Sequence, residues 1–239
     1  MRWWATDSAV VGACAEPGDE DRARHASRRL GVILSSYTVY LDLWIADRSG
    51  RVIAHGRPDR YRRVLGRDVS GERWFRQAMA TAAGAAYAVD DIRREDGLDG
   101  AAYSTAVRAG GDEHGEVIGA LGIFFDWAPQ AQAIVEGIGL SGEERSRTRS
   151  LLLDASGRVI AASDGRGLLE ETATLRIEGR ERGYDADGDR IVGFALTPGY
   201  ETCAGLGWYG ALVQRPPAGA PDGPARDAAP EREPALAAA

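Results

Sequence analysis

The stretch A-D-R-S-G-R-V-I-A at residues 46–54 returns as L-D-A-S-G-R-V-I-A at residues 153–161, with Asp47 and Asp154 separated by 107 positions. An apolar run leads into each copy, Leu43-Trp44-Ile45 in the first and Leu151-Leu152-Leu153 in the second. The order apolar run, Asp/Ser/Gly, apolar run predicts a β-hairpin. Asp bonds its own backbone two residues on, and Gly accepts the positive φ of a short turn. A hairpin does not bury its own apolar face and needs more sheet around it. Two copies so far apart predict two small α+β modules in tandem, because solenoid repeats are much shorter.

The bulk composition bounds the function. A chain of 239 residues with 44% hydrophobic and 27% charged residues is an ordinary globular sequence. A net charge of −7 argues against a nucleic-acid binder, which carries a basic face. All 29 basic residues are arginine, so lysine chemistry is excluded. Cys14 and Cys203 lie far apart and form no C-x-x-C; whether they pair is left open. No apolar leader follows Met1-Arg2-Trp3-Trp4, and Val117 to Phe125, the longest apolar stretch, is far short of a membrane span. The expectation is a soluble, cytoplasmic chain, membrane-associated only as a fragment of a longer receptor.

In chain order, residues 1–18 read as irregular. From Glu20 to Ser36, Leu30, Ile33, Leu34 and Tyr37 recur at helical spacing behind an arginine-rich face. Tyr37 to Ala46 and Arg51 to Ala54 read as strands, and Arg57 to Arg67 as a loop with five arginines. Ser70 is the expected N-cap of a helix carrying Trp74, Phe75, Ala78 and Met79, with a short strand at Ala86 to Asp90. Strands follow at Ala102 to Arg108 and Glu116 to Phe125, then a helix from Trp127 with Pro129 in its first turn. The second module has its hairpin at Arg149 to Ala162 and strands near Leu175–Ile177, Arg182–Tyr184, Arg190–Leu196 and Trp208–Gln214. From Pro216 onward 15 of 24 residues are Pro or Ala, which predicts a disordered tail.

Motifs for catalysis are missing. Gly205-Leu-Gly-Trp-Tyr-Gly210 spells G-x-G-x-x-G, yet Pro216 and Pro217 leave no room for the helix a dinucleotide site requires. His25, His55 and His114 stand apart from one another and from the cysteines, so no metal or cofactor is expected. No serine sits in G-x-S-x-G. What stands out is a concentration of aromatics (Trp44, Trp74, Phe75, Tyr87, Tyr103, Phe124 and Trp127) with Arg73, Asp91 and Asp126 among them. A small-molecule pocket is typically an aromatic cavity with a few orienting polar groups.

The order D-x-S-G-R-V-I-A, V-S-G-E-R-W-F-R-Q-A, G-E-V-I-G-A-L-G-I-F-F-D-W, then a second D-x-S-G-R-V-I-A resembles the double Cache sensor domains of bacterial methyl-accepting chemotaxis proteins and sensor kinases. The resemblance runs from Arg22 to Gln214 and implies a long N-terminal helix followed by two PAS-like modules with antiparallel sheets. The first, larger module would bind ligand. In amino-acid-sensing relatives a cation and an aromatic pair on one helix, a strand tyrosine and a late aspartate hold the ligand. Trp74 and Phe75 match the pair and Tyr87 the tyrosine. The cation position is Glu72, with Arg73 next to it, and the aspartate position is Phe124, with Asp126 two residues later.

The sequence thus reads as an α+β protein: an N-terminal segment and helix (1–36), a ligand-binding module (37–138), a smaller module (139–215) and a tail (216–239). Its expected function is to bind a metabolite and signal by conformational change, without catalysis. Candidate ligand residues are Trp44, Arg73, Trp74, Phe75, Tyr87, Asp91, Tyr103 and Asp126. The ligand class (amino acid, organic acid or amine) stays open. Expected partners are a signalling protein and a second copy through the N-terminal helix. The alternative is a non-catalytic dimerisation or interaction scaffold, or a receptor fragment, with a closed pocket.

Overall fold

The computed structural model describes residues 2–95, 98–187, 189–198 and 205–216. The tail expected to be disordered and Cys203 lie outside them. Described helices and strands follow in chain order: α1 (Arg2–Ala5), α2 (Ser8–Ala15), α3 (Glu20–Ser36), β1 (Tyr40–Asp47), β2 (Val52–His55), α4 (Arg73–Met79), β3 (Ala88–Val89), β4 (Arg93–Glu95), β5 (Leu98–Arg108), β6 (Val117–Asp126), α5 (Trp127–Glu136), α6 (Gly142–Ser146), β7 (Thr148–Leu153), β8 (Val159–Ala162), β9 (Arg182–Asp187), β10 (Arg190–Leu196) and β11 (Tyr209–Gln214). The chain divides into two compact units near Gln130, within α5. The fold is α+β, with two antiparallel sheets consistent with two PAS-like modules.

The repeated stretch builds the same turn twice. Asp47 Oδ1 accepts from the amides of Ser49 and Arg51 at 2.8 and 3.1 Å, and Asp154 Oδ1 accepts from Ser156 and Arg158 at 2.9 and 3.0 Å. Gly50 and Gly157 take φ of 87° and 84°, a region L-residues avoid. Both hairpins carry a bulge at the same place, between Ile45 and Ala46 and between Leu152 and Leu153.

The equivalence extends through each sheet. The first runs β2-β1-β6-β5-β3, with β4 also paired to β5, and the second runs β8-β7-β11-β10-β9. The first hairpin of each unit therefore sits at one edge, and the unit's last strand inserts beside it.

One face of the first sheet buries Leu43, Ile45, Leu121 and Ile123 with α2 and α3. Asp19 caps α3 by accepting from the amides of Asp21 and Arg22. Ala26, Leu30 and Leu34 form its buried stripe, whereas Tyr37 is 49% exposed. The irregular N-terminus expected from sequence is instead helical over α1 and α2. A helix of eight residues shows too little periodicity to read, and burial of Val10, Ala13 and Cys14 holds it in place. Burial, and then the charge of Asp47, pushes the Cys14 thiol up to about 12.

The opposite face carries Trp44, Ala46, Ala102 and Ala120 under α4 and Val64 and Val69 of the preceding loop. α4 begins at Arg73, so Glu72 and not Ser70 is its N-cap, and Glu72 makes no side-chain cap bond. Ser70 instead donates its amide to Asp68 Oδ1 at 2.9 Å, closing an Asx turn one step earlier than the cap. In the second unit, Leu175 and Ile177 pack against the core cluster of Leu151, Leu153 and Phe194 without forming a strand. Gly205 to Trp208 runs directly into β11, so no helix follows the glycine motif.

Candidate functional site: the aromatic face of the first module

Trp44 on β1, Trp74 and Phe75 on α4, and Phe124 on β6 meet on the face beneath α4. Ring centroids stand 4.3 Å apart for Trp44 and Phe124, 5.7 Å for Trp74 and Phe124, and 6.4 Å for Trp44 and Trp74. Each position follows from a local requirement. Ser104 Oγ donates to the Trp74 carbonyl at 2.9 Å, tying α4 to β5. Gly122 leaves room for the Trp74 ring, since a Cβ there would come within 2.9 Å of Cζ3.

Two polar groups border the rings. Arg67 donates to Glu72 Oε1 at 2.7 Å and lies over the Trp44 ring, 5.7 Å from its centroid. The second Glu72 oxygen accepts from the Trp74 indole N–H. Glu72, at the position where amino-acid sensors place a cation, is thus held by a cation and an indole of its own chain.

At the β1–β2 end lies a fully buried pair, Asp42 and His55, 0% and 1% exposed. Asp42 Oδ1 accepts from the amides of Leu43 and Gly56 at 2.8 and 3.0 Å. Asp42 Oδ2 accepts from Trp44 Nε1 at 3.1 Å and lies 2.8 Å from His55 Nδ1. His55 Nε2 and the Tyr61 hydroxyl are buried without a hydrogen-bond partner among the described residues. Burial raises the Tyr61 phenol above its ordinary value; Asp42 and Asp126 add to this, against the opposing fields of Arg60 and Arg57.

Of the residues singled out from sequence, Trp44, Trp74 and Phe75 come together, and Asp126 ends β6 two residues beyond Phe124. Arg73 projects outward, its side chain 53% exposed and its Nε 3.4 Å from Asp90 Oδ1. Asp91 accepts from the Ile92 amide at 2.8 Å. Tyr87 is half-buried just before β3. Tyr103 packs on the other face, with the cluster under α2 and α3. Sequence reasoning passed over Asp42, His55, Tyr61 and Arg67. The signal for Asp42 was a lone carboxylate in the apolar run Leu41-Asp42-Leu43-Trp44. No group of three potential metal ligands forms among the described residues.

A cavity of 220 Å³ opens in the second module, lined by Leu153, Thr172, Thr174, Leu175, Ile177 and Tyr209 beside the Asp154–Gly157 turn.

The sequence matches no protein-family model and no curated protein. In three dimensions the chain shares its fold with Cache-type sensor domains. The Vibrio cholerae histidine kinase DctB sensor domain superposes with a TM-score of 0.63 at 14% identity, over 89% of this chain and 86% of that one. A sensory box/GGDEF family protein domain from Vibrio parahaemolyticus gives 0.61 at 14%, over 90% and 86%. The ligand-binding domain of the Pseudomonas fluorescens chemoreceptor CtaA, solved with L-serine, gives 0.53 at 16%, over 87% and 85%. No described helix is long and apolar enough to cross a membrane.

Proposed function

We propose that this chain is a non-catalytic sensory input module whose first module (37–138) binds a small metabolite against Trp44 and Trp74. Binding would bias the position of α4 and the loop before it and pass that bias to a signalling partner. The observation that carries the reading is the make-up of the α4-covered face. It places an aromatic cluster beside a buried histidine–carboxylate pair and an arginine–glutamate pair, where packing alone calls for apolar side chains. Fold kinship with sensor domains supports it as analogy.

Thermal melting of the chain against amino acids, organic acids, amines and purines tests this. A ligand at 100 times its Kd stabilises the binding unit by about 2.7 kcal/mol. Trp74→Ala is expected to abolish that shift while the second unit melts as before. A shift that survives Trp74→Ala and is lost in Tyr209→Ala assigns binding to the second-module cavity and refutes the site.

The contact between Trp44 and Phe124 favours a second reading, a scaffold whose first module is filled by its own side chains. A chain that melts cooperatively and responds to no compound establishes that reading.

A further inference from the structure

The two modules match step by step up to one point. Arg51 bridges to Asp68 in the first copy and Arg158 to Thr172 in the second. Next, the Val69 amide donates to the Gly50 carbonyl at 2.7 Å, and the Ala173 amide to the Gly157 carbonyl at 2.9 Å. There the chains part. The first enters α4, which packs Trp74 and Phe75 on the sheet. The second runs on to Glu178 without a helix. In the sheet, the cross-strand pair Ala46–Ala120 that lies under α4 becomes Leu153–Tyr209. The 220 Å³ cavity opens against Leu153 and Tyr209, on the face that α4 fills in the first module.

Its outer wall is a strand without a partner. Ala173, Leu175 and Ile177 are half-buried and pack on the cluster of Leu151, Leu153 and Phe194, while Thr172, Thr174 and Arg176 between them are exposed. That alternation is the period of a strand. Among the described residues no hydrogen bond reaches the amides of Thr174, Leu175, Arg176 or Ile177, so no ladder forms. Leu169 at φ of 61° and Glu178 at φ of 48° stand on either side of the segment, both in the left-handed region. Such conformations gather at ligand clamps. A wall held by its ends and its apolar side chains is free to close on a ligand.

The lining sets the charge and size of that ligand. Leu153, Ala173, Leu175, Ile177 and the Tyr209 ring are apolar, and Thr172, Thr174 and Tyr209 bring hydroxyls. Among the described residues Asp154 is the one carboxylate in the lining, and no cationic side chain belongs to it. Both Asp154 oxygens are engaged, Oδ1 by Ser156 and the Arg158 amide, Oδ2 by Arg158 Nε at 2.8 Å. Beyond the wall, Arg176 Nε lies 3.6 Å from Asp185 Oδ2. Arg180 donates to the Arg176 and Ile177 carbonyls and lies over the Phe194 ring. An anion in the cavity meets a carboxylate and no cation, and an ammonium meets a carboxylate already paired with Arg158. Either loses its hydration without compensation, which an uncharged molecule does not. An apolar cavity of about 150 Å³ takes benzene, so one of 220 Å³ takes a single ring with a short substituent.

We infer that the second module carries a ligand site of its own, for an uncharged single-ring molecule bearing a hydroxyl, packed between Leu153, the Tyr209 ring and the wall from Ala173 to Ile177. This goes beyond the first-module reading and does not rest on it.

Isothermal titration of the full chain with benzyl alcohol, benzylamine and benzoate, three molecules of one shape, tests it, with methyl NMR to locate the binding. Benzyl alcohol is expected to bind at least about tenfold more tightly than either charged isostere. It is expected to move the methyl resonances of Leu175 and Ile177 and to leave those of Leu121 and Ile123 in place. Ala173→Leu fills the cavity, and is expected to weaken binding at least about tenfold while the second unit melts no lower than before, which separates filling from misfolding. Thr174→Trp, at an exposed position on the same wall, is expected to weaken binding likewise without disturbing the core. No binding of benzyl alcohol, tighter binding of either charged isostere, resonance changes confined to the first module, or unchanged affinity in both variants overturns the inference. The first-module reading is decided by its own ligand screen and Trp74→Ala, so failure of one leaves the other standing.

Discussion

Removing the Asp42 carboxylate tests the account of the first module's interior most directly. Four N–H groups end on it: the Leu43 and Gly56 amides on Oδ1, and the Trp44 indole and His55 Nδ1 on Oδ2. Asp42→Ala takes this acceptor from all four at a place that is fully buried, and the Gly56 amide keeps a second bond, to the Leu43 carbonyl at 3.0 Å. Two belong to backbone at the β1–β2 end and are unable to turn away. Breaking a buried charged network of this kind costs about 3–5 kcal/mol. Asp42→Asn is milder. Its carbonyl still serves the two amides, and its NH₂ meets a histidine that can change tautomer, so only the indole N–H is orphaned, at about 1–3 kcal/mol. Urea unfolding followed by tryptophan fluorescence and far-UV dichroism measures both, with two transitions fitted where the units separate. The expected order is wild type, then Asn, then Ala, with the second unit's transition unchanged. If Asp42→Ala lowers the first unit's stability by less than about 1 kcal/mol, the network is not what fixes the hairpin end, and the argument fails.

Two further outcomes follow from the repeated turns. Gly50→Ala places a Cβ within 2.7 Å of the Ser70 backbone at φ of 87°, and Gly157→Ala places one within 2.7 Å of the Ala173 carbonyl at φ of 84°. Each is expected to destabilise its own unit by more than about 1 kcal/mol and leave the other alone, as separate melting transitions would show; equal loss in both units refutes their independence. In Asp154, burial raises the pKa, but bonds from Ser156 and Arg158 outweigh it and hold the carboxyl below its ordinary 3.8. A depressed folded pKa gives stability that is full above the unfolded value and lost as pH falls through the folded one. Second-unit stability is therefore expected to fall over roughly pH 5 to 2, with a shallower slope in Asp154→Asn; equal slopes refute it.

Sequence by itself determined the hairpins, and through them the modules. The Asp/Ser/Gly turn is local chemistry: the same carboxylate-to-amide bonds form in both copies because they depend on residues within four positions of one another. The α3 helix and the strands from β5 to β6 were legible for the same reason, since their periodicity is written along a single element. α2 was not, because its helix is held by burial against a sheet whose strands come later in the chain. The candidate site divides along the same line. Trp44, Trp74 and Phe75 were visible as a concentration of aromatics. Which face each residue takes was not: strand alternation sent Tyr103 to the opposite side, and the start of α4 left Arg73 in solvent. The pairing of Asp42 with His55, thirteen residues apart across β1 and β2, exists only once the sheet register sets them on one face, because no sequence pattern encodes a contact that an inter-strand register creates.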